Sequence, residues 1–134
     1  MRVLLGALAA LAAPQPAGAD CLPFAQPAHV TGTLIERTYS GPPNYEDVTK
    51  GDQPETSFFV RLNSSVCVNA DPELGGDPAT VDIVQLVITD AASYRRYHSL
   101  LGQMVIADGE WMQAATGRDH TQRLIWEAKL SPAS

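Results

Sequence analysis

The sequence has few basic residues for its length. Nine Lys and Arg stand against fifteen Asp and Glu, which gives a formal net charge of −6. The densest basic site is the adjacent pair Arg95 and Arg96. Nucleic acids and anionic membrane surfaces are bound mainly by clustered Lys and Arg side chains. Neither is therefore expected as a partner.

The motifs of common enzyme classes are also missing. There is no Gly-x-Ser-x-Gly, no His-Glu-x-x-His, no phosphate-binding glycine loop and no dinucleotide fingerprint. Two nearby carboxylates such as Asp52 and Glu55 could support glycosidase chemistry, which needs two acids about 5–10 Å apart. Acidic loop residues are much commoner than glycosidases, so we expect a non-catalytic protein without a cofactor.

Long apolar runs are absent, and the one short run lies at the start of the chain. Val3–Ala13 is eleven residues long, whereas a membrane-spanning helix needs about 20. Arg2 precedes this run and the small residues Ala17, Gly18 and Ala19 follow it, which is the order of a secretory signal. We therefore expect a cleaved signal peptide at 1–19, a single domain at 20–134 without a membrane span, and a periplasmic or secreted location. Loss of Arg2 takes the formal net charge to −7.

Cysteine is scarce, with Cys21 and Cys67 alone. An exported chain with an even number of cysteines favours a disulfide between them, and two free thiols are the alternative. Lipid attachment at Cys21 is disfavoured because Gly18-Ala19-Asp20 lacks the bulky apolar residue and the small final residue of a lipid-attachment site.

Hydrophobic periodicity predicts five strands and one helix. The helix is expected from a cap at Asp90 to a left-handed stop at Gly102. The strands are expected near Ala28–Tyr39, Thr56–Asn63, Val81–Thr89, Gln103–Ala115 and His120–Leu130. This order, with the helix between the third and fourth strands, is that of an OB-fold, a small Greek-key barrel. An open antiparallel sheet with one helix packed on it is the alternative.

The pattern of the last two strands gives expectations for single residues. Gly109 interrupts the fourth strand and predicts a bulge or bend. In the last strand, Leu124, Trp126, Ala128 and Leu130 alternate with Arg123, Glu127 and Lys129. We expect Trp126 in the core and Arg123 on the opposite face, whereas the position of Trp111 stays open.

Three short sequence phrases are more specific than ordinary loop and turn sequences. They are Gly-Pro-Pro-Asn-Tyr-Glu at 41–46, Gly-Asp-Gln-Pro-Glu-Thr at 51–56 and Thr-Gly-Arg-Asp-His-Thr at 116–121. With them the chain resembles an uncharacterised family of bacterial exported domains, a domain of unknown function. The resemblance covers roughly Cys21 to Leu130 and implies kinship without an activity. In the family pattern the last phrase carries three consecutive histidines, whereas here only His120 remains, which puts a metal role in doubt.

The loop Ser40–Glu55 is the first candidate site. Long loops without regular structure are commonly binding segments. Tyr45 offers an aromatic ring, and Glu46, Asp52 and Glu55 offer carboxylates, so the loop could form an acidic, aromatic pocket. Alternatively it is a solvated crossover whose polar residues only make turns.

The turn Thr116–Thr121 is the second candidate site. Asp119 and His120 could form an acid/base pair or ligate a metal with further ligands such as Asp52, Glu55 or His98. The alternative is an ordinary hairpin turn with polar residues.

Three functional hypotheses follow. The first is an exported OB-like binding module for an unknown envelope protein, glycan or small ligand, a cationic one in particular, held by Tyr45, Glu46, Asp52, Glu55, Asp119 and His120. The second is a metal-binding protein or metal-dependent hydrolase built on His120 and nearby carboxylates. The third is purely structural: the three phrases hold the geometry of the barrel.

Overall fold

The computed structural model describes residues 20–133. The expected signal peptide at 1–19 lies outside the described residues. The elements follow the order β1 (Ala28–Ser40), β2 (Pro54–Val68), β3 (Ala79–Val87), α1 (Ala91–Tyr97), β4 (Met104–Gln113) and β5 (Arg123–Pro132). Short 3-10 turns occur at Val48–Lys50 and His98–Leu100.

The five strands form a closed barrel in the order β1-β2-β3-β5-β4, with β4 paired back to β1. Neighbouring strands are antiparallel except β3 and β5, which are parallel. The single helix lies between β3 and β4 in the chain, so the predicted OB-like Greek-key barrel is confirmed. Closure of the sheet pairs the strand edges that an open sheet would expose, except where β2 and β3 separate beyond the pair Phe59 and Gln85.

The barrel encloses one apolar core. Its buried members come from all five strands and from Tyr97 of α1. The largest fully buried side chains are Phe58, Phe59, Leu34, Leu124, Ile125, Val60, Val68, Val84 and Val105. Phe58, Phe59 and Val60 are consecutive, so the middle of β2 is buried on both faces. Phe58 and Val60 belong to the core of the barrel, and the ring of Phe59 on the other face lies beside Tyr39 and Arg37 of β1.

Two elements are longer or shorter than the sequence suggested. The second strand continues through Val68, beyond the expected end at Asn63. Its pairing with β3 shifts register between Arg61 and Val66, and the polar Asn63, Ser64 and Ser65 lie in this irregular stretch. The helix is capped by Asp90, which accepts hydrogen bonds from the Ala92 and Ser93 amides, as expected. It ends at Tyr97, and the chain then reaches Gly102 at a φ of 82° through a 3-10 turn.

A bulge in β5 reverses the expected positions of the two tryptophans. Asp108 pairs with Lys129, but Glu110 pairs with Trp126, so Glu127 and Ala128 together oppose Gly109. Glu127 has a φ of 52° at this point. Ile125, Ala128 and Leu130 therefore face the core, and Trp126 is 38% exposed. The expectation that Trp126 packs in the core is wrong, and Trp111 on β4 takes that role.

The N-terminal segment is fastened to the end of β2. Cys21 and Cys67 form a disulfide, which confirms the predicted pair. Beside it, the Leu22 amide donates to the Cys67 carbonyl at 2.8 Å, and the Asn69 amide donates to the Leu22 carbonyl at 3.0 Å. No helix within residues 20–133 is long and apolar enough to cross a membrane.

Candidate functional site

The loop between β1 and β2 is organised around the carboxylate of Asp52. This side chain is only 3% exposed. One oxygen accepts the Asn44 amide at 2.8 Å, and the other accepts the amides of Glu46 at 2.8 Å and Asp47 at 2.9 Å. The hydrogen bonds from Asp47, Glu46 and Asn44 lower the pKa of Asp52, because they favour the ionised carboxylate. Asp52 is therefore the internal support of this loop.

The turn between β4 and β5 is held by two side chains. The Asp119 carboxylate accepts the amides of Ala115 at 2.8 Å and Thr116 at 2.9 Å. Gln85 of β3 donates from Nε2 to the Arg118 carbonyl at 2.9 Å, and its Oε1 accepts the His120 amide at 2.7 Å. Gln85 is only 5% exposed. The turn is therefore folded down onto the outer face of the barrel.

The loop and the turn contact each other at three points. The ring of Tyr45 lies against Gly117. Nε of Arg118 lies 3.2 Å from Oε2 of Glu55. The rings of Tyr39 and His120 are stacked, with centroids 3.8 Å apart and an interplanar angle of 10°. The three sequence phrases therefore form one assembly at this end of the barrel.

A groove of about 500 Å³ lies beside this assembly. The start of β2, the end of β3, the turn, Tyr94 of α1, Met112 of β4 and Trp126 of β5 line it. Phe58 and Tyr94 are stacked within it, with ring centroids 4.3 Å apart and an interplanar angle of 1°. Trp126 presents an exposed aromatic surface at the groove.

The candidate residues from the sequence divide between these two places. Glu55, Asp119 and His120 line the groove. Tyr45, Glu46 and Asp52 lie in the loop and are not among the lining residues. The carboxylates of Asp52, Asp119 and Glu55 are each engaged by amides or by Arg118. The structure thus brings half of the six residues together, in a groove whose carboxylates already have partners.

The geometry does not support the metal alternative. Within residues 20–133, no three His, Cys, Asp or Glu side chains are placed together to hold a metal ion. The ring of His120 is stacked on Tyr39 instead. Nε2 of His98 lies 3.7 Å from Oε2 of Glu36, and Nδ1 of His29 lies 2.5 Å from Oδ1 of Asp108.

Two polar residues that matter were missed or misplaced by sequence reasoning. Gln85 and Asp82 are the polar residues of the run 81–88, which is otherwise apolar. A polar residue inside a central strand needs a hydrogen-bond partner, and this signal could have identified the role of Gln85. Arg123 was expected on the outer face but is 4% exposed. Its guanidinium donates to the carbonyls of Asp77 at 2.8 Å and Asn69 at 3.2 Å, and burial lowers its pKa. It is buried because it fastens the loop between β2 and β3 to the barrel.

Comparison with known proteins gives one finding. Residues 83–126 match the model of a family described as a domain of unknown function (DUF4431). Searches of curated proteins and of solved structures returned no match. The matched stretch runs from the middle of β3 through α1 and β4 into β5. It includes the phrase at 116–121, whereas the phrases at 41–46 and 51–56 lie outside it. Over this third of the chain, the protein is similar to a domain of unknown function.

Proposed function

We propose that the protein is a non-catalytic binding module that works outside the cytoplasm and holds its ligand in the groove beside the turn. The observation that carries this proposal is the groove itself, with Trp126 exposed at its wall. Trp side chains contribute a large contact area at low entropic cost, and an exposed one in a concave site is typical of a binding surface.

The position of the groove in the fold supports the proposal. OB-folds bind oligonucleotides and oligosaccharides on the face of the second and third strands, between the first-to-second and fourth-to-fifth strand loops. Here the groove lies at β2 and β3, and the turn between β4 and β5 forms one wall. The scarcity of basic residues argues against an oligonucleotide.

The state of the ionisable side chains favours binding over catalysis. A general acid or base needs a free proton-transfer position within reach of substrate. Glu55 pairs with Arg118, and Asp119 accepts two amides of its own turn. The ring of His120 is covered on one side by Tyr39. These contacts occupy the carboxylates of the groove and stabilise its walls.

The disulfide supports a location outside the cytoplasm. Disulfides persist in oxidising compartments and are rare where thiols are kept reduced. The expected signal peptide at 1–19 would deliver the chain there, with cleavage after Ala19. The mass of the protein recovered from the periplasm or the medium tests this part, because uncleaved full-length chain in the cytoplasm would contradict it.

Binding is tested with the emission of Trp126. The chain has two tryptophans, and Trp111 is buried, so iodide quenching and a blue shift on ligand addition report on Trp126. The probes are short unstructured peptides of mixed sequence and soluble chitooligosaccharides. We expect one class to shift the emission, and Trp126→Ala to weaken its binding about tenfold or more.

The matched control is Met104→Ala. Met104 is another exposed large apolar residue, but it does not line the groove. We expect this variant to bind as the wild type does. Equal weakening by both variants, or no emission change with either probe class, would contradict the proposed function.

A further inference from the structure

We propose that the groove takes an extended, uncharged peptide segment, which adds as a β-strand to the free edge of β2. This inference rests on the proposed function and supplies the class of ligand and the mode of binding. It is carried by the way in which β2 and β3 separate at the groove.

The ladder between β2 and β3 stops before either strand ends. Its last pair is Phe59 and Gln85. Beyond that pair, Pro54–Phe58 stays paired with β1, and Leu86 and Val87 stay paired with β5. Within the described residues, neither stretch has a strand on its other side. The edge of β2 at Pro54–Phe58 and the end of β3 are both walls of the groove.

The free edge of β2 directs backbone groups into the groove. In an antiparallel pair, every second residue exchanges hydrogen bonds with the partner strand, and the residues between them direct N–H and C=O to the opposite side. Every second residue of Pro54–Phe58 therefore offers its backbone groups away from β1. An unpaired strand edge of this kind is a template for another chain.

Most polar side chains of the groove already have partners. The Thr56 hydroxyl is 2.7 Å from that of Thr38, and the Gln85 amide holds the turn. Glu55 pairs with Arg118, and Asp119 accepts amides of the turn. A glycan site needs several free polar side chains to bind hydroxyls. The hydrogen-bonding groups that remain are the hydroxyls of Ser57 and Tyr94, the His120 ring and the backbone along the free edge of β2, and this row of backbone groups favours a peptide over a sugar.

The charged side chains of the groove already have partners. Arg118 pairs with Glu55, and the Asp119 carboxylate accepts two amides of its own turn. An anionic ligand would meet the carboxylates of Glu55 and Asp119, and a cationic ligand would compete with Arg118 and the two amides for them. The complementary segment is therefore an uncharged one.

The side chains of such a strand would meet two different surfaces. Successive residues of a strand point to opposite faces. Toward the barrel lies the half-buried ring of Tyr94, stacked on the buried Phe58, and toward the outside lies the exposed Trp126. An apolar side chain on each face would cover these surfaces, so an apolar segment is favoured.

The experiment selects a ligand and then probes its backbone. A display library of random unstructured peptides is selected on the protein purified after expression of the full chain. The enriched sequence is synthesised as a series in which one backbone nitrogen at a time is methylated. Strand addition predicts that methylation weakens binding about tenfold or more at every second residue and has little effect at the residues between. The protein is unchanged in this series, so its folding does not enter the result.

Each outcome has a distinct meaning. An alternating methylation pattern, with binding lost in Trp126→Ala and kept in Met104→Ala, supports the inference. Peptide binding without alternation would overturn strand addition and leave the proposed function standing. A shift of Trp126 emission by chitooligosaccharides and not by peptides would also overturn strand addition and leave the proposed function standing. Concentration-dependent dimerisation on sedimentation, lost on blocking with peptide, would assign the edge to a second copy and overturn the inference. No response to any probe would remove the proposed function as well.

Discussion

The ring of Tyr45 lies so close to Gly117 that a β-carbon at residue 117 would be 3.2–3.3 Å from three of its atoms. These residues belong to the first and last of the three sequence phrases. The second phrase joins the same assembly through Asp52, which holds the loop of Tyr45, and through Glu55, which pairs with the residue after Gly117. Residues of the three phrases therefore contact and stabilise one another. For most of these residues this agrees with the hypothesis that the phrases hold the geometry of the barrel.

Replacement of Tyr45 by Ala should lower the stability of the protein. Tyr45 is 40% exposed, so only part of its side chain is buried against the turn. The expected loss in the free energy of unfolding is therefore about 1 kcal/mol. Tyr45→Phe is the matched control, because within the described residues the hydroxyl has no hydrogen-bond partner and the ring is kept. Urea unfolding checks both variants. An unchanged midpoint in Tyr45→Ala would show that the contact with Gly117 does not stabilise the fold.

Acid should destabilise the protein partly through Asp52. Its pKa is lowered in the folded state by the hydrogen bonds from Asp47, Glu46 and Asn44, from an ordinary value of 3.8. The stabilisation from this carboxylate is therefore fully present above pH 3.8 and is lost as the pH falls through the lowered value. We expect Asp52→Asn to be less stable than the wild type at neutral pH and to lose less stability on acidification.

The melting temperature across this pH range checks the Asp52 prediction. Some acid sensitivity should remain in Asp52→Asn, because the pKa of Asp90 is also lowered, chiefly by the Ser93 hydroxyl. Glu110→Gln is the control, since this side chain is exposed on β4. We expect Glu110→Gln to follow the pH profile of the wild type. If Asp52→Asn follows it too, Asp52 is not the support of the loop.

Removal of the Gln85 amide should release the turn. Gln85→Leu has a similar volume but leaves the Arg118 carbonyl and the His120 amide without their partner. The expected cost is about 1–3 kcal/mol, with faster amide hydrogen exchange at residues 116–121. Gln122→Leu is the matched control, because it makes the same change in the same turn at an exposed side chain. Equal exchange in the two variants would contradict the anchoring role of Gln85.

The barrel could be predicted from the sequence because its signals are local. Alternating apolar residues and the cap at Asp90 each depend on neighbours in the chain. The bulge is different, since Glu127 and Ala128 oppose Gly109 across two strands. Gly109 gave the place of the irregularity, but nothing local showed that β5 would carry the extra residue. That single residue moved Trp126 out of the core.

The candidate site could be predicted only in part, for a related reason. The phrases mark a loop and a turn that contact each other, but a carboxylate in a sequence does not show what it contacts. Asp52 and Asp119 accept backbone amides, so they support the fold of the loop and the turn. Arg123 is satisfied by carbonyls from a loop more than forty residues away in the chain. The groove depends on where the ladder between β2 and β3 stops, which no local pattern shows.

The disulfide should contribute a large share of the stability of this small domain. Cys21 and Cys67 are separated by 46 residues, and closing a loop of that size stabilises the folded state by about 2–4 kcal/mol in the chain-entropy model. We expect the double variant Cys21→Ala, Cys67→Ala to unfold at correspondingly lower urea concentration, with a reductant destabilising the wild type and leaving the variant unchanged. The groove lies at the start of β2 and the disulfide near its end, so the emission shift of Trp126 with bound peptide should persist in the folded variant. Loss of that shift under conditions where circular dichroism shows a folded barrel would mean that the fastened N-terminal segment shapes the groove from a distance.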